Sequence, residues 1–188
     1  MAYFQKQEAR AAAGRYRSQR GLVWKTPGQI LNEQRRAATD NDRFDVFLSH
    51  ACEDAELILG VKVILESVGL KVYVDWIDDA QLDRANVNRE TADLLRRRMR
   101  QANSLVWAAT DAASRSKWMP WELGYFDGFR PNHVAILPLV DSSSESFQGQ
   151  EYLALYPVAQ PDRVGTYLRN LFIVDRGREI KTFDAFAR

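Results

Sequence analysis

The chain is short of the residues and patterns that mark many functional classes. Cys52 is the single cysteine among 188 residues, so no disulfide can form within the chain and a reducing compartment is expected. His50 and His133 are its two histidines, and with one cysteine they do not make a zinc set, so no metal site is expected. Lys and Arg total 26 against 25 Asp and Glu, a formal net charge of +1, which supplies no overall pull toward nucleic acid or an anionic membrane. No apolar run is long enough to cross a bilayer, and the longest, such as Val134–Val140, have strand length. The opening Met1-Ala-Tyr-Phe-Gln-Lys lacks the apolar core of a secretory signal, so the expectation is a soluble, cytoplasmic protein. There is no GxGxxG, no Walker loop, no internal repeat and no low-complexity tract. A Rossmann cofactor site and a nucleoside triphosphatase therefore have little support.

What is present is organised around Phe44-Asp45-Val46-Phe47-Leu48-Ser49-His50-Ala51-Cys52-Glu53-Asp54. Its first half reads as a strand buried on both faces, and Ser49 opens a polar break before a helical pattern. Leu57, Val61, Ile64, Leu65 and Val68 recur at helical spacing, and Gly69 stands where a helix stops. Lys71–Val74 reads as a second strand, followed by a long polar connection, Asp75–Asn88, which carries Trp76. Connections this long in compact domains are usually functional. The spacing predicts a helix over Glu90–Ala102 with Arg96, Arg97, Arg98 and Arg100 mostly outward, more plausibly a solvated face than a phosphate patch. Further strands are expected at Ser104–Ala109 and Val134–Val140, a weaker one at Glu151–Val158, and a short aromatic helix at Trp121–Phe129 behind Pro120. Pro161-Asp162 reads as the start of a last helix through Val164, Tyr167, Leu168 and Leu171. Alternating strands and helices imply a parallel α/β sheet, in which ligands bind outside the carboxyl ends of the strands.

Residues 1–42 read as a separate, basic, helical extension. Through Arg43 this region carries nine Lys and Arg against four Asp and Glu. Ala-rich helix formers fill Gln5–Arg17, and Thr26-Pro27-Gly28-Gln29 has the cap, first-turn proline and third-position glutamine of a second helix start. A nucleic-acid arm would need more aromatic residues for base stacking, so a helical appendage on the domain is the preferred reading.

The most distinctive constellation is Ser116-Lys117-Trp118-Met119-Pro120-Trp121-Glu122. Trp118 and Glu122 are four apart across a helix start, which places both on one side of its first turn. Alone, that spacing is as well explained by a carboxylate at the positive end of a helix with tryptophans in the core. Ser49 and His50 are neighbours at a strand end and point apart, which argues against a serine triad; His50 reads better as a residue shaping the site than as a general base.

Taken in order, Phe44–Ser49, Val72-Tyr73-Val74-Asp75 with its long loop, Ala102-Asn103-Ser104-Leu105-Val106 and Ser116–Glu122 resemble the Toll/interleukin-1 receptor (TIR) domain of the bacterial type. The resemblance covers about residues 43–175, leaving 176–188 as a tail. It implies a flavodoxin-like α/β fold: a central parallel five-stranded sheet flanked by helices, with the N-terminal helical extension added. A receiver domain has a related layout, but its acidic first-strand end and late lysine are not evident. The resemblance makes Asp75–Asn88 the BB loop and Glu122 the catalytic residue of the members that cleave NAD. Candidate substrate-binding residues are Ser49, His50, Asp54, Trp76, Ser116 and Trp118, with Arg115 or Lys117 placed to neutralise a phosphate.

Two functions follow from the resemblance. One is an NAD-cleaving enzyme, an NAD glycohydrolase or ADP-ribosyl cyclase, that gives nicotinamide and linear, cyclic or conjugated ADP-ribose in antiphage defence of the Thoeris type. NAD is then substrate, and no cofactor is required. The alternative is a non-catalytic module that acts by homotypic assembly. Glu122 with Trp118 favours the enzyme, because an adaptor does not require that carboxylate. Expected partners are NAD, further copies of the chain through the BB loop, and a defence effector or sensor; no membrane or nucleic acid is expected.

Overall fold

The computed structural model describes residues 3–51, 53, 55–76, 89–142, 145, 147, 149–164, 167–175 and 179–187. Two helices come first: α1 (Lys6–Gln19), preceded by a two-residue strand β1 (Phe4–Gln5), and α2 (Pro27–Ala37). Thr26 caps α2 as its sequence predicts, accepting from the Gln29 N–H while the Gln29 side chain accepts from the Thr26 N–H. Then follow β2 (Phe44–Ser49), α3 (Ala55–Ser67), β3 (Val72–Tyr73), α4 (Arg89–Arg100), β4 (Ala102–Ala109), α5 (Trp118–Phe129) and β5 (Val134–Val140). The chain closes with β6 (Val158–Val164), β7 (Tyr167–Asp175), β8 (Glu179–Thr182) and α6 (Phe183–Ala187).

Strands β3-β2-β4-β5-β6 are parallel neighbours. Numbered among themselves they run 2-1-3-4-5, the flavodoxin-like order, with its topological switch between β2 and β4. The fold class expected from the sequence is therefore the one observed: a mostly parallel sheet flanked by helices.

Side chains alternate faithfully across this sheet. Val46, Leu48, Val106, Ala108, Ala135 and Leu137 enter one core with α1, α2 and α3. Phe47, Leu105, Trp107, Val134 and Ile136 enter the other with α4 and α5. Period-two alternation thus decides which layer each strand residue addresses.

The C-terminal part departs from the expected helix. Residues 158–164 and 167–175 pair as antiparallel strands, β6 against β7, and β8 adds a further antiparallel strand. The i, i+3 pair Leu168 and Leu171 fits a helix, but Leu171 and Ile173 are buried at a spacing of two within a β-branched and aromatic run. Packing on the sheet decides between the two periods. Residues Glu151–Leu155, expected as a strand, form a single 3₁₀ segment instead. Helix α5 begins at Trp118, before Pro120 rather than behind it.

The arginine row of α4 lies mostly outward, as expected, with Arg98 the exception. Arg98 is buried and turned inward, donating to the carbonyls of Ala38 (2.9 Å) and Thr39 (2.8 Å) and to Gln101 Oε1 (2.7 Å). Gln101 donates in turn to the carbonyls of Thr39, Asp40 and Asp42, so the two side chains clamp the turn that leads into β2. That turn is also held by Asp42, which accepts from Lys71 Nζ (2.7 Å) and from the Thr39 N–H and hydroxyl. The Lys71 ammonium and the Thr39 donors hold the Asp42 carboxyl well below its usual range.

Helix α1 lies directly on α3. A Cβ on Gly60 would stand 1.8 Å from the Ala9 carbonyl oxygen, so only glycine permits this approach. Gly60→Ala should destabilise the protein by about 1–3 kcal/mol in urea unfolding, because overpacking outweighs the gain in helix propensity. Gly14→Ala, where nothing lies within 4 Å, should stabilise it by about 0.5–1 kcal/mol.

The lowered Asp42 carboxyl fixes the sign of a pH effect: its stabilisation is present above the ordinary carboxylate pKa and is lost as pH falls through the lower folded value. The melting-temperature gap between wild type and Asp42→Asn should stay constant from about pH 8 to 5 and narrow below about pH 4.

Candidate active site

Parity along β2 sends Ser49 to the same side as Phe47, the side on which α5 packs. There Ser49 Oγ donates to Glu122 Oε2 at 2.6 Å, and both residues are buried, at 0% and 4% exposure. A hydroxyl–carboxyl hydrogen bond of this length lies at the short end of the normal range for such contacts. Helix α5 can bring Glu122 to this point because Ser116 Oγ accepts the Met119 N–H (3.2 Å) at its entry and Pro120 needs no hydrogen-bond acceptor in its first turn. Trp118, four residues before Glu122, is buried and meets Trp121 edge-on, ring centroids 5.4 Å apart. Trp121 stacks in turn on Tyr125 at 5.6 Å, and Arg96 of α4 lies over both rings.

His50 takes the opposite side of the sheet edge. Its Nδ1 lies 3.0 Å from the Leu48 carbonyl, and its ring stacks on Trp76 at 5.5 Å with the planes 12° apart. Trp76 belongs to the core shared with α3, and its indole N–H is buried with no acceptor among the described residues. Just before it, Asp75 accepts the Tyr73 hydroxyl at 3.1 Å; burial and the Asp75 charge push the Tyr73 phenol far above its usual range, so it remains a donor.

The structure therefore divides the sequence candidates into two groups at one sheet edge. Ser49, Trp118 and Glu122 lie on the α5 side, with Ser116 as a helix-entry acceptor, whereas His50 and Trp76 form a stacked pair on the α3 side. Asp54 and most of the long connection, residues 77–88, lie outside the described residues. Arg115 is engaged by Glu53 (2.6 Å), which raises its guanidinium pKa and ties the loop after β2 to the loop after β4 across the switch point.

Sequence reasoning missed a cation at this edge. Lys6, at the start of α1, reaches Asp111 (2.9 Å) behind β4 and Asp141 (2.8 Å) behind β5. Burial works against its charge, but the two aspartates outweigh that and hold the ammonium above its usual range; Lys6 correspondingly lowers the Asp111 carboxyl. Only β1, which pairs with Leu139 and Val140 of β5, brings Lys6 here, and a two-residue strand leaves no sequence signature. No His, Cys, Asp and Glu cluster among the described residues could hold a metal ion. No helix among them is long and apolar enough to cross a membrane.

A buried carboxyl group near the start of the helix after the third parallel strand, bonded to a serine at the end of the first, is the candidate site at the switch point of the sheet. Over 129 residues, 68% of this chain, the sequence is 51% identical to a Bacillus cereus (strain MSX-D12) protein named "Probable 3' cyclic ADP-D-ribose synthase ThsB'", covering 66% of its length. Over 112 residues it is 28% identical to "Putative cyclic ADP-D-ribose synthase TIR2" of Cytobacillus dafuensis, of which it spans 30%. No family model matches the chain. The chain belongs to the TIR-domain proteins represented by these relatives, of whose lengths it spans 66% and 30%.

The Ser49–Glu122 contact is open to a direct test. Ser49→Ala leaves a buried carboxylate without this donor and should cost about 1.5–3 kcal/mol in denaturant unfolding at neutral pH. A double-mutant cycle with Glu122→Gln should show coupling above about 1 kcal/mol.

Proposed function

We propose that this chain cleaves NAD at the bond between nicotinamide and ribose and closes the ADP-ribosyl product on itself, making a cyclic ADP-ribose. The observation that carries this reading is Glu122, a buried carboxylate held by Ser49 at the ligand-binding edge of the sheet. Cleavage passes through an oxocarbenium-like centre at the ribose. Nicotinamide departs with the bonding pair as a neutral ring, so no acid need protonate it. A carboxylate facing the developing positive charge lowers the barrier by electrostatic stabilisation.

An oxygen nucleophile then attacks the ribosyl carbon and gives up its proton, which Glu122 can accept. Water as nucleophile yields linear ADP-ribose, whereas a hydroxyl of the same molecule yields a ring. Two features support ring closure: the names of both relatives, and the burial of Glu122, which limits the water able to compete. Trp118 and Trp76 supply flat apolar surface on either side of the sheet edge. On this reading NAD is substrate rather than cofactor, and the product is a signal passed to an effector protein in defence against phage.

Incubation of the protein with NAD, following nicotinamide and resolving the second product by chromatography, tests the proposal. Glu122→Gln keeps the side-chain shape and should lower nicotinamide release by at least about a hundredfold, with the melting transition still cooperative. A folded Glu122→Gln protein that retains release overturns the catalytic assignment. Linear ADP-ribose as the dominant product overturns the cyclase reading and leaves a glycohydrolase.

A further inference from the structure

The loop that delivers Glu122 to the sheet edge is gripped from outside the part of the chain that resembles the TIR domain. Residues 110–117 connect β4 to α5, and backbone bonds fold them into a compact unit. The Ala113 N–H donates to the Thr110 carbonyl (3.0 Å), Arg115 to Ala112 (3.1 Å) and Ser116 to Ala113 (3.2 Å). Ser114 Oγ donates to the Asp111 carbonyl at 3.0 Å. Ser116 Oγ then accepts the Met119 N–H, so the unit runs without a gap into the helix turns that carry Trp118 and Glu122.

Ala113 is the only buried residue of this loop, so its placement depends on what holds its side chains. Two ion pairs do so, and they are unequal. Arg115 and Glu53 are both largely exposed, and such pairs are weak. Lys6, which holds Asp111 at 2.9 Å, has a side chain only 11% exposed and a second anchor in Asp141 at 2.8 Å. Its backbone is fixed as well: Phe4 is buried, and Phe4 and Gln5 pair with Leu139 and Val140 of β5. Lys6 thus transmits the position of a buried strand to the loop after β4. It does so at the switch point, where it and Arg10 line a crevice of about 310 Å³ between residues 51–58 and 110–115.

We propose that Lys6 is a positioning residue for Glu122: by tying Asp111 to the end of β5 it sets the loop after β4, and with it the first turns of α5. The inference rests on the reading of Glu122 as the carboxylate that faces the ribose. It makes the N-terminal helix a working part of the site rather than an appendage. A displacement of about 1 Å at a reacting centre can cost about a hundredfold in rate, so a modest shift of α5 is enough to matter. Loss of the ammonium is compatible with folding. Asp111 and Asp141 are 86% and 69% exposed and return to water, and methionine at position 6 keeps the enclosed stem.

The test compares the full chain with Lys6→Met, Lys6→Arg, Asp111→Asn and Asp141→Asn. Nicotinamide release from NAD is one readout, and the indole N–H signals of tryptophan-labelled protein are the other. Lys6→Met should lower kcat about tenfold with KM within about twofold, and Lys6→Arg should restore about half of the rate or more. Asp111→Asn should match Lys6→Met, the two together should cost no more than either alone, and Asp141→Asn should cost less. The Trp118 signal should move in Lys6→Met and return in Lys6→Arg, while that of the exposed Trp24 stays still. If Lys6→Met does not fold, Asp111→Asn, at an exposed position, decides. A folded Lys6→Met protein with kcat and the Trp118 signal unchanged overturns the proposal, even if its melting temperature falls, and leaves the NAD reading intact. A wild type that releases no nicotinamide overturns the NAD reading; the Trp118 signal in Lys6→Met and Lys6→Arg then decides whether Lys6 positions α5.

Discussion

A carboxylate at 4% exposure must be held by donors, and in this chain that requirement is met across two elements distant in sequence: Ser49 ends β2 and Glu122 lies in the first turns of α5. An unsatisfied buried charge costs several kcal/mol, so the contact constrains everything that positions either partner. Ser49 faces α5 because β2 keeps strict alternation, and its register against β4, with Ser49 opposite Trp107, fixes its height at the sheet edge. A slip of one residue would send Ser49 to the α3 side and bring His50 into its place. The register is secured at the other end of β2 by the Arg98 and Gln101 clamp on residues 38–42. Those side chains are far from the site, yet they set where the strand begins and therefore where Ser49 arrives.

This dependence on alternation explains why much of the core was legible in the sequence. Phe44–Ser49 and Val134–Val140 are short apolar runs with turn residues after them, and buried parallel strands have no simpler description. Thr26-Pro27-Gly28-Gln29 carries its own cap chemistry and needed no tertiary information. The pairing of β6 with β7 was not legible, because Leu168 and Leu171 satisfy the helical period while Leu171 and Ile173 satisfy the strand period. Only the exposed edge of β5, at Ile136 against Val158, selects the second. Arg98 was misplaced for a related reason: four neighbouring arginines look alike until a turn rich in carbonyl groups is folded over one of them.

At the site, the spacing of Trp118 and Glu122 places them on one side of a helix start, but it does not say what they face. Lys6 shows a harder limit. Its two partners are 105 and 135 residues away, and no local pattern marks a lysine at a helix start as a bridge between two strand-end loops. The bridge joins the loops after β4 and β5, just as Arg115 and Glu53 join the loops after β2 and β4. Exposed pairs such as Arg115–Glu53 contribute little stability. Their consequence is geometric: three successive strand-end loops are cross-linked by charge at the edge where ligands bind.

The aromatic residues of α5 extend this coupling into the second helical layer. Trp118 meets Trp121, Trp121 stacks on Tyr125, and Tyr125 receives the Arg100 Nε–H at 2.8 Å while Arg96 covers both outer rings. Each cation–aromatic contact at a partly exposed position is worth about 0.5–1 kcal/mol, and stacked rings add a similar amount. Trp118 and Glu122 share one side of α5, so a shift of α4 that carries Arg96 and Arg100 with it acts on the same turn that bears the carboxylate. Helix α4 starts directly after residues 77–88, the connection between β3 and the second helical layer. The geometry of Glu122 is thus set from two directions: by strand register through Ser49, and by the placement of α4 through the arginine–aromatic contacts. Register is fixed by the buried sheet, whereas the second constraint is built from partly exposed contacts of modest energy.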